Sequence, residues 1–338
     1  MALALAARGE ETAFIAQQGG ALAERLHGTY LSWEEMDLRG VRGAWSAPRL
    51  VRRLRELNSQ VVHIHDSASH GAAGLAARLA GGPKVVATRR TDFPLRGGWA
   101  GRAKYELWCD SLICVSQAVR RRCLEAGLSE ERLTVIPDFV DCRHFVPRDP
   151  GPAAGVRPTV ATVGRLAREK GHRVLLQAMQ EVVAEVPRAR LVISGKGEQE
   201  AALREQVETA GLSGSVEFAG FVPDVRTVLS AADVFAMPSL SEGLGVAVLE
   251  AMAMGKPAVV SDAGGLPESV VHGETGLVVP AGDAEALAGG LTELLRDSER
   301  ARRMGSVGRK RALEVFDRPR VVERVLVVYE EVLGGGRP

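Results

Sequence analysis

The feature that most limits the possible folds of this chain is two series of short apolar, β-branched runs. Within each series, stretches of helical periodicity separate one run from the next. Strands that alternate with helices form βαβ units, whose strands pair in parallel and are covered on both faces. The first predicted series is Thr12–Ala16, Val61–His65, Val85–Thr88, Ser111–Val115 and Leu133–Ile136. The second is Thr159–Val163, Leu191–Ser194, Val216–Phe218, Val234–Met237, Ala258–Ser261 and Gly276–Val279. The sequence therefore predicts two doubly wound, Rossmann-like α/β domains.

A segment rich in proline and glycine separates the two series. Residues 149–158 read Asp-Pro-Gly-Pro-Ala-Ala-Gly-Val-Arg-Pro, a composition typical of a linker. We expect an N-terminal domain at 1–148, a C-terminal domain at 159–320 and an amphipathic helix within 321–338. Open α/β sheets bind ligands beyond the carboxyl ends of their strands, so two such domains facing each other would enclose a cleft.

Composition narrows the class of partner. The chain is 46% hydrophobic and 25% charged, with a formal net charge of +1, whereas a dedicated nucleic-acid-binding domain would be markedly basic. No apolar run approaches the ~20 residues of a membrane-spanning helix, and the four cysteines lack the spacing of zinc sites. We expect a cytoplasmic protein with a small-molecule substrate. Peripheral contact with the inner face of the membrane stays open because Arg52-Arg53-x-Arg55 and Arg120-Arg121-Arg122 could meet anionic lipid, although the solvated face of an amphipathic helix is the favoured explanation of each cluster.

Two carboxylates, Glu242 and Glu250, stand eight residues apart around a glycine-flanked helix start. Gly243 and Gly245 permit the backbone to approach a ligand closely. A helix over about Val246–Met254 would offer unpaired amides and its positive dipole end to phosphate oxygens. Phosphate at the centre with carboxylates on both sides describes a site for a nucleotide-diphosphate sugar. A glutamate that only caps the helix is the simpler alternative.

This stretch resembles the Glu-x7-Glu signature of the family 4 retaining glycosyltransferases. The likeness continues through Ala-Gly-Gly-Leu-Pro-Glu at 263–268 and His-Gly-Glu-Thr-Gly-Leu-Val-Val-Pro at 272–280, and it covers nearly the whole chain. The resemblance implies the GT-B fold, with two domains facing across a cleft and the final helix crossing back to the first domain. It also implies transfer of a sugar from a nucleotide-diphosphate sugar to a glycan or lipid-linked saccharide, as in polysaccharide or lipopolysaccharide biosynthesis. The anomeric configuration would be retained, and neither a metal ion nor another cofactor would be needed.

The same resemblance implies roles for individual residues. Glu242 would contact the donor sugar and Glu250 the ribose hydroxyls, while the loop after Thr159–Val163 would grip the diphosphate. In that loop Arg165 offers a planar fork of donors and Lys170 a compact charge; two solvated surface cations are the alternative. The predicted catalytic residues are Glu242, Arg165 and Lys170, and the predicted donor-binding residues are Gly164, Gly195, Gly197, Gly243, Leu244, Gly245, Glu250, Gly264 and Gly265.

The first domain carries a second group of candidates. His63 and His65 alternate on one predicted strand and share a face. They could ligate a metal together with Asp66, or each could be a hydrogen-bonded histidine at the edge of the sheet. Many relatives place a donor-sugar-binding histidine near Arg90, where this chain has an arginine, so that role does not transfer. The acceptor-side candidates are His65, Arg89, Arg90 and Asp92, which could contact a charged acceptor or pair with one another.

The front of the chain departs from the family pattern. Relatives begin with a strand, a glycine-rich loop and a helix, whereas Met1–Gly9 is similar to the end of that helix. We therefore expect the first strand to be missing from the first sheet. A catalytically inactive nucleotide-sugar-binding or complex-forming paralogue is accordingly the second hypothesis. A GT-B enzyme of another activity, such as a phosphorylase or an epimerase, is the third.

Overall fold

The computed structural model describes residues 1–20, 22, 26–95, 98–148 and 157–334. The chain divides into two compact units, one formed by Met1–Ile136 with the residues from Pro319 onward, the other by Pro137–Arg318. The strands of both units pair in parallel, and helices alternate with them. The predicted α/β fold class is confirmed. Most of the predicted linker, 149–156, lies outside the described residues.

The first unit holds two separate sheets. One pairs β1 (Ala13–Gln17) with β2 (Ser32–Met36). The other has the order β3-β4-β5-β6 and consists of β3 (Val61–Ile64), β4 (Lys84–Arg89), β5 (Ser111–Cys114) and β6 (Leu133–Val135). β2 is absent from the predicted strands, because Met36 is its only buried residue and the strand has no apolar run.

Helices of the first unit carry both arginine clusters. They are α1 (Ala2–Ala6), α2 (Gly40–Glu56), α3 (His70–Ala80), α4 (Gly98–Trp108) and α5 (Gln117–Glu125). In α2, Arg52 pairs with Glu56 at 2.7 Å, and in α5, Arg120 pairs with Glu130 at 2.5 Å. Ion-paired arginines of this kind are usual on solvated helix faces. All four cysteines are buried and free of disulfides.

The second unit is built on one six-stranded parallel sheet. Its strands are β7 (Thr159–Val163), β8 (Arg190–Ser194), β9 (Val216–Gly220), β10 (Val234–Met237), β11 (Ala258–Ser261) and β12 (Gly276–Val279). They lie in the order β12-β11-β10-β7-β8-β9. This is the order of a Rossmann sheet, and the direction of winding reverses between β7 and β10.

Helices cover both faces of this sheet. They are α6 (His172–Glu185), α7 (Glu200–Thr209), α8 (Arg226–Ala231), α9 (Val246–Ala253), α10 (Leu266–Ser269), α11 (Ala284–Arg296) and α12 (Ser298–Arg311). The larger core includes Leu175 and Leu291, and a smaller cluster includes Val192 of β8 and Val228 of α8. Because both faces are packed, every residue of β10 and β11 is buried, which explains their uninterrupted apolar sequences.

The last helix, α13 (Arg318–Leu333), packs within the first unit. The Tyr329 hydroxyl lies 2.6 Å from Nδ1 of His63, and Arg324 donates a 2.7 Å hydrogen bond to the carbonyl of Val135. The C-terminal helix is thereby tied to β3 and β6, the two outer strands of the four-stranded sheet. In the part of the chain that the structure describes, no helix has the length and apolar character needed to cross a membrane.

Candidate functional site

The loops after β7 and β10 meet at the point where the winding of the second sheet reverses. The two strands are neighbours, with Val160 opposite Val234, and parallel strands present their carboxyl ends at the same edge. The turn Arg168–Lys170 follows β7, and its Glu169 carbonyl accepts hydrogen bonds from the amides of Leu240 and Ser241 at 2.7 and 3.4 Å. Backbone contacts therefore hold the two loops together.

An ion pair joins two of the predicted catalytic residues across these loops. Nζ of Lys170 lies 2.5 Å from Oε2 of Glu242, and the two side chains are 23% and 13% exposed. The hydroxyl of Ser239 lies 3.4 Å from the same oxygen. Oε1 of Glu242 has no partner among the described residues, so it can accept a hydrogen bond from a ligand while Oε2 holds the lysine.

Gly171 explains why the lysine can come so close. Its backbone is left-handed, with φ of 68°, and a Cβ added there would lie 1.8 Å from the carbonyl oxygen of Pro238. Any larger residue would push the two loops apart. The glycine also ends the short turn before α6 begins at His172. This one position therefore sets the distance between Lys170 and the loop that carries Glu242.

Arg165 lies on the open side of the same loop. Its side chain is 64% exposed and donates to the carboxylate of Glu169. A hydrogen bond from its own backbone amide lowers the pKa of Glu169 most, and the positive charge of Arg165 lowers it further. Glu169 is not among the site residues predicted from the sequence. Its position four residues after Arg165 and directly before Lys170 was the available signal.

The predicted glycines bring neighbouring loops into close contact. A Cβ at Gly195 would lie 1.8 Å from the carbonyl oxygen of Gly164, and one at Gly197 would lie 2.3 Å from that of Leu166. The loops after β7 and β8 are therefore packed backbone against backbone. The amides of Gly164 and Gly195 are themselves bonded within these loops, to the carbonyls of Ser194 and Gly220 at 2.9 and 2.8 Å.

The loop after β10 is joined in the same way to the segment after β11. The amide of Gly265, next to Gly264, donates to the carbonyl of Glu242 at 3.1 Å, and the Ser269 hydroxyl donates to the carbonyl of Leu244 at 2.8 Å. Gly243 is buried between these contacts. Gly245, in a left-handed conformation, directly precedes α9. The predicted residues of 242–245 and 264–265 thus form one hydrogen-bonded group.

Glu250 lies on α9 and is set apart from this group. Its carboxyl makes no hydrogen bond or ion pair with any residue that the structure describes. Burial raises its pKa to about 7, because desolvation disfavours the charged form. The structure therefore does not join Glu250 to Lys170 or Arg165 by direct contact. A ligand with hydroxyl donors would supply the partners that this carboxylate lacks.

The first unit contains a cavity of about 220 Å³ at the carboxyl ends of β3 and β4. Three of the four predicted acceptor-side residues, His65, Arg89 and Arg90, lie in its wall. Asp92 is not part of that wall and pairs with Arg122 of α5 at 3.3 Å. The cavity wall also includes Ser67, Thr91 and Tyr105, which were not predicted from the sequence.

The histidines of β3 are held by hydrogen bonds. The two ring nitrogens of His63 contact the Tyr329 hydroxyl at 2.6 Å and the Thr88 hydroxyl at 2.7 Å. Arg90 lies 3.2 Å from Nδ1 of His65, and burial followed by the charge of Arg90 lowers the pKa of His65 to about 3. The described residues include no group of three or more His, Cys, Asp or Glu side chains suited to a metal ion. Of the two alternatives, hydrogen-bonded histidines at the sheet edge describe this strand.

Comparison with known families matches both halves of the chain. Residues 1–144 match the model described as Glycosyltransferase Family 4, and residues 148–311 match the model described as Glycosyl transferases group 1. The second match spans the loops that carry Arg165, Lys170, Glu242 and Glu250.

Two relatives are similar to this chain over most of their length. The chain is 33% identical to alpha-maltose-1-phosphate synthase of Mycolicibacterium smegmatis, over 90% of this chain and 88% of the relative. It is 32% identical to GDP-mannose-dependent alpha-(1-6)-phosphatidylinositol monomannoside mannosyltransferase of the same organism, over 79% of this chain and 75% of the relative.

Solved structures share the fold. HepE from Anabaena in complex with UDP superposes with a TM-score of 0.87 at 20% identity, over 97% of this chain and 94% of that one. Sucrose-phosphate synthase from Thermosynechococcus elongatus gives 0.80 at 23% identity, over 99% and 92%. These similarities confirm the GT-B fold. With the family matches and the relatives above 30% identity, they establish that the chain belongs to the family 4 glycosyltransferases.

Proposed function

We propose that this glycosyltransferase moves a sugar from a nucleotide-diphosphate sugar to a saccharide or lipid-linked acceptor, with retention of anomeric configuration and without a metal ion. The Lys170–Glu242 ion pair at the strand-order reversal carries the proposal. That position is where open α/β sheets bind nucleotides. The pair places a phosphate-binding cation and a hydroxyl-binding carboxylate side by side, as a sugar bonded to a diphosphate requires.

The positive charge needed by the leaving group comes from the chain itself. Arg165 is exposed and can form two parallel hydrogen bonds to phosphate oxygens. Lys170, held against Glu242, adds a second charge in a less exposed position. Stabilising the charge that develops on a departing diphosphate is the task that a metal ion performs in other enzymes. These two cations support a metal-independent reaction.

Retention follows if the acceptor hydroxyl approaches the face of the sugar from which the diphosphate departs. The leaving phosphate oxygen would then take the hydroxyl proton, while Oε1 of Glu242 would hold the sugar through its hydroxyls. No covalent bond to the protein is needed in this scheme. The contrasting mechanism is that of a glycoside hydrolase, in which two carboxyl groups about 5–9.5 Å apart act across one bond. Glu242 does not suit that role, because its Oε2 accepts a hydrogen bond from Lys170.

The relatives point to two kinds of acceptor. The mannosyltransferases are named for a phosphatidylinositol mannoside and LpsE of Rhizobium meliloti for the lipopolysaccharide core, which supports a lipid-linked acceptor at the inner face of the membrane. Alpha-maltose-1-phosphate synthase is named for a small sugar phosphate, which supports a soluble acceptor. The donor base is equally open, because HepE binds UDP and the mannosyltransferases are named for GDP-mannose.

A thermal-shift screen of UDP-, GDP- and ADP-sugars tests the proposal. The matching donor at about 100 times its Kd should add about 2.7 kcal/mol to the free energy of unfolding. Transfer is then followed with that donor, and the anomeric configuration of the product is determined by NMR. Retention with full activity in EDTA is expected. An inverted product, activity lost in EDTA and restored by a divalent cation, or no stabilisation by any donor would each contradict the corresponding part of the proposal.

Nucleotide binding should depend on pH through Glu250. Its pKa of about 7 in the free protein means that the carboxyl is mostly protonated at pH 6 and mostly ionised at pH 8. Ribose hydroxyls donate to the ionised form, so the affinity should increase as pH rises through 7. Between pH 6 and pH 8 the Kd of the cognate nucleoside diphosphate should fall roughly tenfold, the change in the ionised fraction.

Glu250→Gln separates this effect from the titration of the nucleotide itself, whose terminal phosphate ionises near pH 6. The variant keeps the shape of the side chain and removes its titration. The Kd of the variant, measured by calorimetry, should change with pH only through the ionisation of the terminal phosphate. An equal pH dependence in both proteins would show that Glu250 does not hold the nucleotide.

A further inference from the structure

Three neighbouring helices of the first unit, α2, α3 and α4, lie side by side. Nη2 of Arg55, near the end of α2, donates a 2.8 Å hydrogen bond to the carbonyl of Leu79, near the end of α3. A Cβ added at Gly74 of α3 would lie 2.8 Å from the Cβ of Trp108 of α4. The helices therefore form one layer with a common outer surface. The residues assigned to the donor site belong to the second unit, so this layer is left without a function.

The outer surface of this layer displays large apolar side chains. Trp45 of α2 is 83% exposed, the highest value among the large hydrophobic side chains that the structure describes. Leu75 and Leu79 are also exposed, and they share one face of α3 because they are four residues apart. Leu107 of α4 is more than half exposed. These four residues define the α2–α4 face. Single exposed hydrophobic residues are common on soluble proteins, whereas several on adjoining helices are typical of an interaction surface.

Basic residues are concentrated in the same three helices. Their sequences contain eight arginine and lysine residues and two glutamates, in a chain whose formal net charge is only +1. Glu34 and Asp110 pair with Arg49 and Arg78 from outside the helices. Even when these two carboxylates are included, the cations outnumber the carboxylates two to one. The layer is therefore positively charged, and a negatively charged partner would complement it.

Apolar and basic side chains lie on the same face of α2. Trp45, Arg49 and Arg52 are four and then three residues apart, so their side chains follow one another along the helix. The two arginines are 64% and 83% exposed. Their ion pairs with Glu34 and Glu56 are usual on a solvated helix, but they do not explain an exposed tryptophan beside them. The combination suits a membrane surface, where tryptophan concentrates at the boundary between water and lipid and arginine is attracted to anionic headgroups.

We propose that the α2–α4 face docks onto the surface of a membrane that contains anionic lipids. Trp45, Leu79 and Leu107 enter the region between the headgroups and the acyl chains, while Arg49 and Arg52 contact lipid phosphates. Burial of apolar area and attraction to anionic lipid then act together, as they do for amphipathic helices at membrane surfaces. Docking would hold the chain where lipid-linked saccharides are found. That use of the surface rests on the transferase function proposed above, whereas the docking itself does not.

Flotation of the full chain with lipid vesicles tests this surface. Vesicles of phosphatidylcholine mixed with phosphatidylglycerol should bind the protein, and vesicles of pure phosphatidylcholine should not. High salt should weaken the binding, because it screens the charges. The double variant Arg49→Gln, Arg52→Gln should lower the partition coefficient by about tenfold or more, since each basic residue near an anionic surface typically contributes about fivefold. Trp45→Ala should lower it severalfold at any salt concentration, because an apolar contact is lost.

Matched controls come from exposed side chains of the second unit. They are the double variant Arg302→Gln, Arg303→Gln on α12 and the aromatic substitution Phe221→Ala, and neither should alter vesicle binding. Failure of the unaltered protein to bind anionic vesicles, or binding that the α2–α4 variants leave unchanged, overturns the proposal. Self-association in analytical ultracentrifugation that Trp45→Ala abolishes, without vesicle binding, also overturns it and identifies a second copy as the partner. Donor-induced thermal stabilisation of the α2–α4 variants reports separately on the proposed transferase function.

Discussion

Replacing Arg165 with alanine should lower kcat/KM for glycosyl transfer about a thousandfold while the protein stays folded. The side chain is 64% exposed, and among the described residues its one ion pair is with the partly exposed Glu169, so its removal leaves no buried charge without a partner. Its proposed task is to stabilise charge that develops on the leaving diphosphate. Loss of one preorganised group of this kind typically reduces rates by about 10²–10³, and loss of an arginine on a transferring phosphate by more.

Arg168→Ala provides the control for this substitution. Arg168 lies in the turn that follows Arg165, is exposed, and has no ion pair in the structure as described. General effects of removing a positive charge should appear equally in both variants, whereas the diphosphate role belongs to Arg165 alone. Steady-state kinetics with the cognate donor measure both. Equal activities of the two variants would rule out Arg165 as the diphosphate ligand.

The strands of the second sheet are predicted most accurately from the sequence. The bounds of β7, β10, β11 and β12 agree with those expected, because strands covered on both faces appear as continuous apolar runs. β2 is missed for the opposite reason, since four of its five residues are at least partly exposed. β4 extends one residue beyond the prediction at each end, to Lys84 and Arg89, because these two residues pair with Val61 and Cys114 of the neighbouring strands although they are charged.

Some features of the candidate site can likewise be predicted from the sequence, whereas others depend on the tertiary structure. Spacing and motif place Lys170 and Glu242 at the ends of two strands, but only the strand order makes those strands neighbours. Their 2.5 Å contact further depends on the backbone of Gly171, a tertiary effect that one sequence does not display. The wall of the cavity in the first unit is even harder to predict from the sequence. His70 and Tyr105 reach it from α3 and α4, and nothing in their local sequence marks that direction.

Glu242→Gln and Lys170→Met should each lower kcat/KM by about 10²–10³, and the double variant should be no worse than the more damaging single one. The carboxylate and the ammonium hold each other in place in a mostly buried position. Either substitution therefore disorders both the sugar contact and the phosphate contact. Groups that act as one unit give non-additive losses, whereas independent groups would multiply their effects to about 10⁴–10⁶.

The stability of these variants must be measured alongside their activity, because removing one member of a shielded pair leaves the other charge poorly solvated. We expect each single variant to lose about 1–3 kcal/mol of unfolding free energy and the double variant to recover part of it, since no unpaired charge remains. Lys196→Met and Glu198→Gln are matched controls on the exposed loop after β8 and should alter neither quantity. Multiplicative losses of activity with no recovery of stability would mean that Lys170 and Glu242 serve separate functions despite their contact.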